Sequence, residues 1–190
     1  MIWCSRFEAR LERSAFQPVD EFASLIAACK RTADVQAFKT ELELMRALSH
    51  ENLLRIYTSY VKPPTPCLVT ELMAGALDSM LWGRQAGSVS LTAQQRVRLA
   101  AGIARGMAYL HRNNVAHRDL KSGNVLYDPQ LNVKLCDFAF SKVKELEAEA
   151  AFESTVGTPA WMAPEVLRGR EYTMSADCFS YGVILWELAR

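Results

Sequence analysis

The chain has 190 residues, half of them hydrophobic and 23% charged, and its 22 basic against 21 acidic side chains leave a formal net charge of +1. A chain of this length buries roughly 70% of the surface its unfolded form exposes, so a substantial core is expected and disordered or collagen-like classes are excluded. The near balance of charge supplies no field for binding nucleic acid or a membrane surface, so neither partner is expected and any phosphate recognition must be local.

Residues 1–20 are mixed in charge, and the first ten carry Arg6, Glu8 and Arg10 with no apolar segment of the kind a secretory signal requires. No apolar run approaches the length of a membrane span. Cys4, Cys29, Cys67, Cys136 and Cys178 are scattered without paired spacing, which points to reduced thiols and a cytoplasmic setting rather than to disulfides or zinc. Phe22 to Lys30 is a short apolar run ending in a lysine, the pattern of a strand that delivers Lys30 into a cleft. From Ala33 to Ser49, Val35, Phe38, Leu42 and Met45 recur at helical spacing, with Glu41 beside that face.

Leu53–Tyr60 and Cys67–Leu72 read as strands joined by a turn containing Pro63, Pro64 and Pro66, and Gly75–Ser90 reads as a linker and turn region. Thr92 is placed to cap a long helix whose apolar face is Val97, Ala100, Ile103, Met107 and Leu110. Asn124–Tyr127 and Val133–Cys136 are short strands around the Asp128-Pro129 turn, and residues 141–156 are polar and loop-like. From Ser175 an apolar helical run continues to Arg190 without a stop signal. A small strand-bearing lobe thus precedes a helical one.

The most specific string is His117-Arg118-Asp119-Leu120-Lys121-Ser122-Gly123-Asn124, which resembles the catalytic-loop pattern H-R-D-L-x-x-x-N of eukaryotic protein kinases. A lone aspartate in a loop is usually a solvated turn residue; the full string changes that judgement. Downstream, Asp137-Phe138-Ala139 stands where that family has D-F-G, and the run from Gly157 to Glu165 ends in its A-P-E. Upstream, Ala27-Ala28-Cys29-Lys30 resembles V-A-I-K, and Glu41 stands nine residues before His50 in the family-like phrase ELELMRALSHEN. Residues 22–190 carry the resemblance.

The resemblance implies an α+β fold of two lobes, with a β-rich N-lobe carrying one helix over residues 22–73, a mainly helical C-lobe over 74–190, and a weakly specified segment at 1–21. It implies transfer of the ATP γ-phosphate to serine or threonine hydroxyls of protein substrates, with ATP and Mg2+ as the bound species. Asp119 would accept the hydroxyl proton, with Lys121 beside it; Lys30, held by Glu41, would neutralise the α- and β-phosphates; Asn124 and Asp137 would hold magnesium. Glu71 and Met73 would bond adenine through their backbones, Thr70 would guard the pocket, and Ala28 and Leu126 would sandwich the ring. Ile56, Met45, Phe138 and His117 match a stacked spine between the lobes, and Asp177 matches a helix aspartate that anchors the catalytic loop from beneath. Lys121 in HRDLKSGN and Thr158 in GTPAW are similar to serine/threonine enzymes, and the ensemble is closest to the tyrosine-kinase-like group, which includes mixed-lineage and Raf-type enzymes. Arg118 resembles an arginine that pairs with a phosphorylated activation loop, with Ser154 and Thr155 as candidate acceptors and an upstream kinase or scaffold as partner.

The pattern breaks at two glycines. No glycine precedes Gly75, whereas kinases cover the ATP phosphates with a G-x-G-x-x-G turn whose backbone approaches them closely. Ala139 replaces the glycine of D-F-G, at a cost of about 1–2 kcal/mol if that position needs positive φ. The run reaching Arg190 stops before the further C-lobe helices that the resemblance implies. A nucleotide-binding or scaffolding module with impaired catalysis, or an incomplete kinase fragment, therefore stays open beside the enzyme.

Overall fold

The computed structural model describes residues 46–60, 67–83, 91–137, 142–143, 157–170 and 172–190. In chain order these form strands β1 (Ile56–Tyr60), β2 (Cys67–Thr70) and β3 (Gly75–Ala76), then helices α1 (Leu77–Trp82) and α2 (Ala93–Arg112). Strands β4 (Val115–Ala116), β5 (Val125–Tyr127), β6 (Val133–Leu135) and β7 (Lys142–Val143) follow, then helices α3 (Pro164–Leu167) and α4 (Met174–Ala189). Strands β1 and β2 form an antiparallel hairpin with Ile56 opposite Thr70 and Tyr60 opposite Cys67. Strand β5 lies between β3 and β6, antiparallel to both, and β4 pairs with β7. A strand hairpin followed by a predominantly helical body agrees with the expected α+β, two-lobed arrangement.

Helix α2 is the support on which the other elements rest. Its start is set by reciprocal bonds: the Gln95 N–H donates to Thr92 Oγ1 at 3.2 Å, and the Thr92 N–H donates to Gln95 Oε1 at 2.8 Å. Two otherwise orphaned N–H groups are thereby satisfied. Leu99, Ile103, Met107 and Leu110 form the buried stripe at spacings of three and four. Val97, expected on that stripe, is 68% exposed; the buried face begins one residue pair later, at Leu99. Gly102 and Gly106 lie on the same face and let β6 approach closely. A Cβ at Gly102 would stand 2.4 Å from Val133 Cγ2, and one at Gly106 2.9 Å from Leu135 Cδ1 and 3.0 Å from the Asn52 carbonyl oxygen.

The segment leading into β1 is sewn to this body. Asn52 is buried, its Nδ2 donates to the Val133 carbonyl at 2.9 Å, and its own carbonyl accepts from the Leu135 N–H at 2.9 Å. The Leu54 N–H donates to the Leu135 carbonyl, and His50 stacks on Tyr109 of α2 with ring centroids 4.8 Å apart.

A further reading of the sequence needs correction. Gly75–Ser90 is not simply a linker, because residues 75–82 form β3 and α1, with Leu77 and Met80 buried. That helix is shorter than two turns and presents too few apolar residues for a period to register. Helix α4 carries the apolar run read from Ser175, with Asp177 within it. It buries Asp177, Ser180 and Glu187 alongside Ala176, Ile184 and Leu188, while Phe179, Leu185 and Trp186 are exposed. Among the described residues no helix is long and apolar enough to cross a membrane.

The approach of β6 to α2 predicts that Gly106→Ala lowers stability, although alanine favours a helix over glycine by about 1 kcal/mol. Overpacking of this kind costs about 1–3 kcal/mol, so the variant should unfold at lower urea concentration than the parent. An unchanged or higher midpoint in equilibrium urea denaturation would show that β6 yields without cost.

Candidate active site

The loop from β4 to β5 is shaped from below by one carboxylate. Asp177, buried on the first turn of α4, accepts from the backbone N–H of His117 at 3.0 Å and of Arg118 at 3.1 Å. It also contacts His111 Nε2 at 2.8 Å and accepts from the Tyr172 hydroxyl. Burial by itself would raise the Asp177 carboxyl, but the donors from His111, Tyr172 and the His117 backbone overcome it and hold the group below its ordinary value. Tyr172 is pushed well above the ordinary phenol value, first by burial and then by the Asp177 charge. With its N–H fixed in this way, Arg118 adopts φ +68°, a conformation that costs a non-glycine residue about 1–3 kcal/mol. The Arg118 guanidinium lies over the Tyr172 ring, 5.2 Å from its centroid.

The strained turn delivers Asp119, which is buried, into a cluster of donors. Lys121 Nζ donates to Asp119 Oδ2 at 2.7 Å and to Thr158 Oγ1 at 2.6 Å, and the Thr158 hydroxyl donates to Asp119 Oδ1 at 2.8 Å. Asn124 Nδ2 donates to the Asp119 carbonyl at 2.8 Å and to Asp119 Oδ2 at 3.2 Å. The carboxylate is thus oriented from three sides by charge-assisted bonds, which are stronger than neutral ones. Residues 119, 121 and 124, named together in the catalytic-loop string, lie in this one cluster, and Thr158 joins them from a distant part of the chain.

Asn124 also connects to the end of β6, because its carbonyl accepts from the Cys136 N–H at 3.0 Å. Asp137 follows at φ +63°, a region that aspartate tolerates better than most residues. With its amide nitrogen turned to Asp119, Asn124 has its oxygen left for a ligand, and Asp137 brings a carboxylate from the adjacent strand end. Oxygen donors of this kind suit a hard cation. An amide oxygen and a single carboxylate are the protein donors that magnesium usually takes, together with phosphate and water.

On the other side of β5, Met73, Leu126 and Cys136 form a small buried cluster with Leu54 and Ala76 packed against it. Thr70 is buried at the end of β2, and its hydroxyl donates to the Glu71 carbonyl at 3.2 Å. The Glu71 N–H is taken by the Arg55 carbonyl, and its side chain accepts from the Arg55 N–H at 2.7 Å and pairs with Lys134 at 2.9 Å. Ala74 N–H donates to the Tyr127 carbonyl. The backbone of Met73 lies between these two anchors, and no hydrogen bond within the described residues engages it. An extended edge flanked by an apolar floor fits a flat heteroaromatic ring. Because the Glu71 N–H is occupied, its carbonyl is the only backbone group it can offer.

Ala28, Lys30 and Glu41 lie outside the described residues, as do Met45, Phe138, Ala139, Ser154 and Thr155. The sequence reading missed His111 and Tyr172 as partners of Asp177, and it missed Glu187. The Glu187 carboxylate is buried and accepts from Ser122, Trp82 and Trp161. An acidic residue inside the apolar phrase SYGVILWEL was the available sign.

A family model described as a protein kinase domain matches residues 21–190. A probable serine/threonine-protein kinase of Dictyostelium discoideum is 38% identical over 154 residues, covering 81% of this chain and 16% of its own length. A serine/threonine/tyrosine-protein kinase of Arabidopsis thaliana is 40% identical over 154 residues, covering 80% of this chain and 38% of its own. A serine/threonine-protein kinase of the same plant is 41% identical over 151 residues, covering 80% and 26%. The chain therefore spans well under half the length of these relatives.

His117 gives the site a pH dependence. Its ring is fully buried, and burial lowers its pKa below the ordinary 6.5 against the opposing attraction of Asp177, Asp119 and Asp137. The folded state thus keeps a neutral imidazole where the unfolded chain takes up a proton. Stability from this group is complete above pH 6.5 and falls as pH drops below it. Asp177, depressed below 3.8, adds stability that is complete above that value and is lost as pH falls through its folded pKa. Thermal melts followed by circular dichroism should decline between pH 6.5 and 5 for the parent and less steeply for His117→Phe. Parallel profiles would assign the decline to other groups.

Proposed function

We propose that this chain, which belongs to the protein kinase domain family, transfers the γ-phosphate of ATP to serine or threonine hydroxyls of other proteins. The observation that carries the reading is the Asp119 carboxylate held by Lys121, Thr158 and Asn124. A hydroxyl attacks phosphorus well only when it is oriented and can shed its proton, and a positioned carboxylate serves both needs. Asp119 takes that role. Lys121, 2.7 Å away, carries the positive charge that offsets negative charge on the transferring group. Its second bond, to Thr158, ties the base to the segment that receives the substrate. The names of the relatives support serine and threonine as acceptors.

In this reading Thr70, Glu71, Met73 and Leu126 form the adenine side of the nucleotide site, with Ala28 as the opposite face. Lys30, oriented by Glu41, meets the α- and β-phosphates. Asn124 and Asp137 hold magnesium, which when bound neutralises phosphate charge and aligns the γ-phosphate. The same proposal places the chain in the reducing cytosol, with an upstream kinase or a scaffold as partner and Ser154 and Thr155 as the acceptors for such a kinase.

The test is a time course of labelled phosphate transfer from ATP and magnesium to a generic protein substrate, comparing the parent with Asp119→Asn. The variant should lose about 10²–10⁴-fold in rate. Transfer unaffected by the substitution, or none from a folded parent, would replace this reading with that of a nucleotide-binding or scaffolding module.

A further inference from the structure

Helix α4 carries a second buried carboxylate besides Asp177. Glu187 accepts from Ser122 Oγ at 2.9 Å and Trp82 Nε1 at 3.0 Å on one oxygen, and from Trp161 Nε1 at 3.0 Å on the other. The three donors come from different elements: Trp82 ends α1, Ser122 lies in the loop between β4 and β5, and Trp161 closes the short 3-10 turn Pro159–Trp161. All three are donors and the carboxylate is only an acceptor, so each bond has the right polarity.

We propose that Glu187 is a positioning residue that sets Asp119 for phosphoryl transfer; this rests on the kinase reading above. Ser122 sits between Lys121 and Asn124, the two loop residues that bond Asp119, so a tether at Ser122 fixes both donors at once. Trp161 is bonded through its N–H to the Thr158 carbonyl at 3.0 Å, and Thr158 is the third partner of Asp119. The Trp161 carbonyl accepts from Ser180 of the same helix at 2.7 Å, so α4 holds Trp161 at both its side chain and its backbone. Ten residues separate Asp177 from Glu187, about 15 Å along a helix at 1.5 Å per residue. Asp177 fixes the start of the loop at His117 and Arg118, and Glu187 fixes its middle at Ser122. Glu187 is bonded to Ser122, Trp82 and Trp161 and not to Asp119, and it acts through those neighbours.

Glu187→Gln preserves size but turns an amide N–H₂ toward one of the three donors, breaking at least one bond. Ser122→Ala removes only the loop tether and is the milder change should the first variant fold poorly. Both should lower kcat for protein phosphorylation tenfold or more while leaving the KM for ATP within twofold, because the Met73–Leu126 cluster is untouched. A general loss of structure would move both constants. Independently of activity, the indole N–H resonances of Trp82 and Trp161 in ¹⁵N-labelled protein should move upfield in Glu187→Gln. An unchanged kcat in both folded variants, or unmoved indole resonances, overturns the proposal. If the parent shows no Asp119-dependent transfer, the kinase reading has failed, and the indole resonances then decide whether the Glu187 tether itself exists.

Discussion

A carboxylate that accepts two consecutive backbone N–H groups leaves little choice to the chain that donates them. Asp177 does this to His117 and Arg118, and the result is a turn with Arg118 at φ +68° that no local preference would select. From that turn follow the placement of Asp119, the reach of Lys121 and Asn124 back to it, and the contact with Thr158. The strain is offset by bonds to a buried charge, which are expensive to lose because the carboxylate would otherwise sit unsatisfied in the interior. His111 and Tyr172 occupy the remaining capacity of Asp177, so the anchor is saturated and has one arrangement.

Helix α4 is unusual in the face it turns inward. Its buried stripe contains Asp177, Ser180 and Glu187, each engaged by partners from other elements. Apolar contact holds the helix against α2, whereas the hydrogen bonds to its buried carboxylates fix which loop residues meet it. The helix thus works as a template for the loop above it, and α2 supplies the apolar bulk against which the template is held.

Much of this was legible in the sequence because catalytic-loop chemistry is local: residues 117–124 form one string, and the capping box of α2 needs only Thr92 and Gln95. The short strands β5 and β6 were readable from their apolar runs around the Asp128-Pro129 turn. Helix α1 was not, because six residues with two buried apolar side chains show no period. Val97 was misassigned because hydropathy does not reveal where a helix meets its neighbour; Gly102 and Gly106 mark that contact. Partners of Asp177 and Glu187 come from positions up to 105 residues away in the chain, and pairing at such separation leaves no local trace.

The seam at Asn52 and Leu135 has a mechanical meaning. Leu135 exchanges backbone bonds with Asn52 and Leu54, directly before the β1–β2 hairpin, and it lies two residues before Asp137. The bonds that seat the hairpin on the helical body are therefore made by the same strand, β6, that leads into Asp137. A substitution that shifts β6 therefore disturbs the seating of the hairpin and the position of Asp137 together.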